Sequence, residues 1–116
     1  MRFVRALLIA ACFVAPVAVV SAASTLPGMT LDEAGHADVI GQFVCGMPGF
    51  RIDAFRTQVN RLVPGGTGSP AYTSGQQSGR NEIQNLRDNN DDLSEAAQSN
   101  CREIESEMKI VMTASP

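Results

Sequence analysis

The 116-residue sequence predicts an all-α fold: a small antiparallel bundle of three to four helices, stapled by one disulfide and preceded by an N-terminal signal peptide. Three observations lead to this fold class. Apolar residues recur every three or four positions in several segments, which is the period of a helix with one buried face. Stretches rich in glycine and proline separate those segments, and two cysteines remain once the leader is removed. No segment has a convincing strand pattern.

Residues 1–22 have the three parts of a secretory signal peptide. Arg2 and Arg5 precede an uncharged apolar run over residues 6–20, and small residues lead to a cleavage point after Ala22, with Ala23 nearly as suitable. Two alternatives stay open, namely lipidation of Cys12 and an uncleaved anchor, since the apolar run is near the minimum length that spans a bilayer. Each alternative exports the rest of the chain, because the arginines stay on the cytoplasmic side.

Cleavage after Ala22 would leave 94 residues, enough for one small domain. It would also remove two arginines, so that seven basic residues face twelve acidic ones and the net charge becomes −5. An acidic exported domain without clustered Lys or Arg is a poor candidate for binding nucleic acid or anionic lipid.

The two remaining cysteines, Cys45 and Cys101, predict one structural disulfide, since only one intramolecular pairing exists. The closed loop of about 57 residues would stabilise the fold by roughly 4 kcal/mol in the chain-entropy estimate. The alternative is a reactive Cys45 thiol, which needs a base and a lowered pKa. The single histidine, His36, is the one candidate base.

Residues 23–29 are expected to form a loose tail, residues 30–112 a single helical domain, and residues 113–116 a C-terminal tail. Thr30-Leu31-Asp32-Glu33 fits a capping box at the start of a first helix over about 31–44. That helix is weakly predicted, because Gly35 and Gly41 each cost it about 1 kcal/mol.

The second helix carries a clear apolar stripe, made by Ile52, Phe55, Val59, Leu62 and Val63, and ends at Pro64-Gly65-Gly66. Residues 64–70 are expected to form a flexible linker.

The third helix is predicted over about 70–89, with an apolar face that includes Tyr72, Gly75, Gly79 and Ile83. Glycines one turn apart form a shallow groove, which either packs inside the molecule or receives a partner's helix.

Residues 88–92 are rich in carboxylates, but the sequence disfavours a calcium loop because Leu93 and Ser99 occupy the positions that need Gly and Glu. A turn whose Asp92 caps the next helix is expected instead. The last helix, about 93–112, has the most regular stripe, with Cys101 in register, and Glu105 and Lys109 are placed to form an i,i+4 pair.

The inventory of side chains argues against catalysis. A single histidine and scattered carboxylates supply no nucleophile–base pair and no metal-ligand cluster, so we expect no enzyme activity, no metal and no cofactor. The sequence favours a periplasmic or secreted, non-enzymatic protein of the cell envelope. Its expected role is that of a protein-binding, inhibitory or adaptor module. The partner's identity and the oligomeric state stay open, and stable membrane insertion after cleavage is not expected.

An acid- or envelope-stress chaperone is the alternative function. The two-cysteine, all-helical, exported layout, carried here by Cys45 and Cys101, is similar to that of the small acid-activated periplasmic chaperones. This resemblance of layout implies a fold that loosens and exposes apolar surface at low pH, driven by protonation of its carboxylates.

Overall fold

The computed structural model of the protein describes residues 25–89 and 93–116. The predicted signal peptide, and Asp92 as a helix cap, lie outside these residues. The elements are β1 (Thr25–Leu26), β2 (Met29–Thr30), α1 (Leu31–Phe43), α2 (Gly49–Leu62), α3 (Pro70–Asp88) and α4 (Leu93–Thr113), with a 3₁₀ turn at Gly66–Gly68. The prediction of an all-α bundle with one disulfide is confirmed.

The capping box at the start of α1 forms as the sequence predicts. The backbone N–H of Thr30 donates to Glu33 Oε2 at 3.0 Å, and the backbone N–H of Glu33 donates to Thr30 Oγ1 at 3.1 Å. These two bonds satisfy N–H groups that the first turn of a helix cannot pair internally.

The described part of the predicted loose tail is not loose. Residues 25–30 form a short antiparallel hairpin in which Thr25 pairs with Thr30 and Leu26 with Met29. Gly28 makes the turn with a φ of +82°, a conformation that glycine adopts without strain. Leu26 and Met29 are buried, so the hairpin covers one end of the core rather than extending into solvent.

Helix α1, which the sequence predicts only weakly, is the central helix of the bundle. It contacts α2, α3 and α4, and eight of its thirteen residues are buried. A helix buried on several sides has no polar face to alternate with an apolar one, so it shows no clear stripe. The low amphipathic signal of α1 is therefore a consequence of its position and not of a weak helix.

The glycine face of α3 packs against α1. A Cβ placed at Gly75 would lie 1.8 Å from the carbonyl oxygen of Asp32, and one placed at Gly79 would lie 3.0 Å from Val39 Cβ. From Gly75 to Gly79 along α3, the contacted residue of α1 advances from Asp32 to Val39, so α1 and α3 run parallel. The groove predicted on α3 is thus filled within the molecule by α1.

Cys45 and Cys101 form the predicted disulfide, with their Cα atoms 5.6 Å apart. This separation is ordinary for a disulfide. Cys45 lies in the corner between α1 and α2, so the bridge connects this corner to α4.

The segment of residues 64–70, which the sequence predicts to be a flexible linker, is ordered by a hydrogen bond. The backbone N–H of Thr67 donates to Asn60 Oδ1 at 2.9 Å.

Candidate functional site

A surface groove lies between α2 and α4 and has a volume of about 640 Å³. The two helices run parallel beside it. Their cross-contacts advance in the same direction, from the disulfide at Cys101, through Arg51–Glu105, to Gln58 and the backbone of Val111. The groove is partly open to solvent.

The floor of this groove, hereafter the α2–α4 groove, is apolar. It is formed by Met47, Ala54, Phe55, Met108 and Met112. Phe55 is fully buried and belongs to the core, whereas Met112 keeps 41% of its surface exposed. Methionine side chains are flexible and polarisable, and Met, Phe and Arg are enriched where proteins bind other proteins.

The rim of the α2–α4 groove is predominantly basic. It includes Arg51, Arg102 and Lys109 and a single carboxylate, Glu105. Glu105 accepts a hydrogen bond from Arg51 Nη1 at 3.3 Å, so it pairs across the groove and not with Lys109 as the helix spacing predicts. Within residues 25–89 and 93–116, Arg102 and Lys109 have no ion-pair partner.

A buried glutamine fixes one end of the α2–α4 groove. Gln58 Nε2 donates to the carbonyl oxygens of Val111 at 3.1 Å and of Ala114 at 2.9 Å. These bonds pair the carbonyl oxygen of Ala114, which lies beyond the end of α4, and give a second donor to that of Val111, which also accepts from the backbone N–H of Ala114. They also hold the last turn of α4, and with it Met112, against α2.

A buried carboxylate fixes α2 and α3 to α1. Asp38 is fully buried and accepts from Arg56 Nε at 2.6 Å, from Arg56 Nη2 at 2.8 Å and from the Tyr72 hydroxyl at 2.5 Å. Burial, followed by the hydrogen bond to Asp38, raises the pKa of the Tyr72 phenol, so this group stays protonated and donates. The hydrogen bond to Asp38 likewise raises the pKa of Arg56 above its usual value.

Sequence reasoning missed this network. Arg56 and Tyr72 are 18 and 34 residues from Asp38, so no local spacing connects the three. The one available signal was an aspartate between Ala37 and Val39 in an otherwise apolar segment of α1. A charged residue in such a segment is buried only when it is paired.

A smaller cleft of about 240 Å³ lies where α1, α3 and α4 meet. It is acidic, being lined by Glu33, Glu82, Glu103 and Glu107, and it contains His36 Nε2 at 3.2 Å from Glu82 Oε2. Burial, with a smaller contribution from the charge of Glu103, raises the pKa of Glu107. Among the described residues, no group of three histidine, cysteine or acidic side chains could hold a metal ion.

The predicted site residues occupy structural positions. Tyr72, Gly75, Gly79 and Ile83 are buried in the interface with α1 or in the core. Both cysteines are consumed by the disulfide, and His36 contacts Glu82, so the structure brings no base to a free Cys45 thiol. The α2–α4 groove was not predicted, because most of its lining comes from two helices whose facing residues, such as Arg51 and Glu105, are 54 positions apart, and each helix alone shows only a stripe.

Comparison with known protein families, curated proteins and solved structures finds no match for this chain. None of the helices in the described ranges is long and apolar enough to cross a bilayer.

Proposed function

We propose that this protein is a small exported, non-enzymatic binding module of the cell envelope, which holds a segment of a partner protein in the α2–α4 groove. The groove itself is the observation that carries the proposal. Its volume of about 640 Å³ and its apolar floor with a few polar groups at the rim are typical of binding sites.

The rigidity of the walls supports this proposal. The disulfide fixes one end of the groove, the Arg51–Glu105 pair spans it, and Gln58 holds the other end. Walls held in this way lose little conformational freedom on binding, and this raises the affinity that a given contact surface can achieve. The oxidised Cys45–Cys101 pair also fits the periplasmic or secreted location that we propose, since disulfides persist in oxidising compartments.

In-cell photo-crosslinking tests the proposal. A photo-reactive amino acid is placed at Met112, which lines the groove, or at Arg80, which is exposed on α3 away from it. We expect a discrete protein adduct from position 112 and none from position 80. Ala54→Arg, which fills the groove with a large side chain, should abolish the adduct, whereas Thr57→Arg on the exposed side of α2 should not. Identical adducts from both positions, or none from either, would contradict the proposal.

An acid-stress chaperone is the second candidate, and exposed aromatic surface favours it. Phe43 and Phe50 flank the disulfide corner and keep 59% and 74% of their surface exposed. A chaperone of this kind should expose further apolar surface when its carboxylates are protonated. An increase in the fluorescence of the dye ANS between pH 7 and pH 2.5, with far-UV circular dichroism largely retained, would favour this function over the binding module. An unchanged dye signal would reject it.

A further inference from the structure

We infer that the occupant of the α2–α4 groove is an acidic amphipathic helix of a partner protein, an inference that rests on the function proposed above. Three properties of the groove favour such a helix: the helices that wall it, the length of its α4 wall and the charges along its rim.

The walls of the groove favour a helix over an extended segment. Both walls are helices, whose backbone N–H and C=O groups are already paired within the helix. An extended peptide gains its affinity from backbone hydrogen bonds to a free sheet edge, and the walls of this groove offer none. A helix brings its own backbone bonds and needs only an apolar surface.

The α4 wall of the groove is about three helical turns long. Its lining on α4 extends from Arg102 to Met112, and a rise of about 1.5 Å per residue makes this wall roughly 15 Å long. An amphipathic helix would therefore place about four side chains on the floor, from positions i, i+3, i+4 and i+7. The groove is partly open to solvent, which leaves room for the solvated face of such a helix.

The charges at the rim select an acidic helix. The rim carries three cations and one carboxylate, although acidic residues outnumber basic ones in the chain as a whole. Glu105 neutralises Arg51, while Arg102 and Lys109 have no partner in the described ranges. Glutamate or aspartate side chains beside the apolar face of a bound helix would pair with these two cations. Such charge complementarity contributes more to the choice of partner than to the strength of binding.

Binding of two matched peptides tests the inference. Both are fluorescein-labelled 14-residue helices with leucine at positions i, i+3, i+4 and i+7. One carries glutamate beside the leucines and the other carries lysine. Fluorescence anisotropy with the mature, oxidised protein should show that the glutamate peptide binds roughly tenfold more tightly, since each exposed ion pair contributes up to about fivefold. This preference should shrink in 1 M salt, where the screening length falls to about 3 Å.

Charge reversal supplies the matched variants. Arg102→Glu with Lys109→Glu should invert the preference, so that the lysine peptide binds more tightly. Arg61→Glu with Arg80→Glu makes the same change of net charge on surfaces outside the groove, and it should leave the preference for the glutamate peptide in place. Ala54→Arg should weaken both peptides.

Three results would overturn the inference. Equal binding of both peptides, blocked by Ala54→Arg, would retain the groove as a binding site and reject the acidic helix. Binding of the protein to phosphatidylglycerol vesicles, without binding of the glutamate peptide, would assign the groove to lipid. Failure of both peptides to bind would also reject the acidic helix. The proposed function is tested independently by photo-crosslinking: a discrete adduct from position 112 would support a protein partner in the groove even if neither peptide binds.

Discussion

Gly35 of α1 and Gly75 of α3 each lie against the backbone of the opposite helix, so closely that neither position can hold a methyl group. A Cβ at Gly35 would be 2.0 Å from the carbonyl oxygen of Tyr72, and one at Gly75 would be 1.8 Å from the carbonyl oxygen of Asp32. This reciprocal contact sets the distance between α1 and α3. It also explains why glycines, which weaken an isolated helix, occupy these positions.

Replacement of Gly75 by alanine should therefore destabilise the protein. The added methyl group meets a backbone oxygen that cannot move away without separating the helices, and we expect a net loss of at least about 2 kcal/mol in the free energy of unfolding. Gly49→Ala is the matched control, because a Cβ there meets nothing within 4 Å. This control should be neutral or slightly stabilising, since alanine favours helix formation. Urea unfolding of both variants checks the prediction, and equal stabilities would contradict the close contact.

The Asp38 carboxylate should depend on Arg56 for its burial. Arg56→Met removes the bidentate partner and leaves a fully buried negative charge with the Tyr72 hydroxyl alone, so we expect a loss of about 3 kcal/mol. Arg61→Met removes an exposed arginine from the same helix and should change stability by less than about 0.5 kcal/mol. Chemical denaturation measures both. Similar effects of the two substitutions would show that the pair with Asp38 contributes nothing.

Glu107 should make the protein less stable as the pH rises. Burial and the neighbouring Glu103 and Glu33 raise the pKa of this carboxyl above its ordinary value of 4.5, while His36 acts in the opposite direction. The folded state therefore binds the proton more tightly than the unfolded state does, and the contribution of Glu107 to stability falls as the pH passes from about 4.5 through the raised pKa.

Glu107→Gln should accordingly be more stable than the wild-type protein at pH 7, with a difference that disappears towards pH 4. Glu95→Gln, on the exposed surface of the same helix, is the control. Unfolding free energies between pH 4 and pH 8 measure this dependence. A Glu107→Gln variant whose advantage grows at low pH would reverse the predicted sign.

Removal of the disulfide should cost a large part of the stability of this small domain. The double variant Cys45→Ala/Cys101→Ala opens a loop with a sequence separation of 56 residues. We expect its free energy of unfolding to fall by up to about 4 kcal/mol. Its unfolding curve should not respond to a reducing agent, whereas that of the wild-type protein should shift to lower denaturant. If the unfolding curve of the wild-type protein did not shift on addition of the reducing agent, the disulfide would not be stabilising.

Local patterns account for most of the helix boundaries. The Thr30–Glu33 capping box, the stripe of Ile52, Phe55 and Val59, and the pairing of Cys45 with Cys101 are all visible in the sequence, because each depends on short spacings or on a single possible partner. What could not be predicted depends on contacts between distant segments.

The central position of α1 is the clearest example. A helix buried on several sides has no apolar stripe. Gly35 lowers the predicted stability of the helix, and the reason for a glycine there is visible only in its close contact with the backbone of Tyr72. The partners of Asp38 and the pairing of Glu105 with Arg51 depend on how the helices are arranged, which spacing along one helix does not encode. The α2–α4 groove has the same origin, since it exists only between two helices.

Export of the chain and its closure by the Cys45–Cys101 bridge are the basis of the proposed function. The decisive measurement is the intact mass of the unreduced protein from an envelope fraction, after treatment with an alkylating reagent. We predict a chain that begins at Ala23, two hydrogens lighter than its reduced form and without alkylation. Two alkylated thiols, a lipid-sized addition at Cys12 or an uncleaved chain in the cytoplasm would contradict the account.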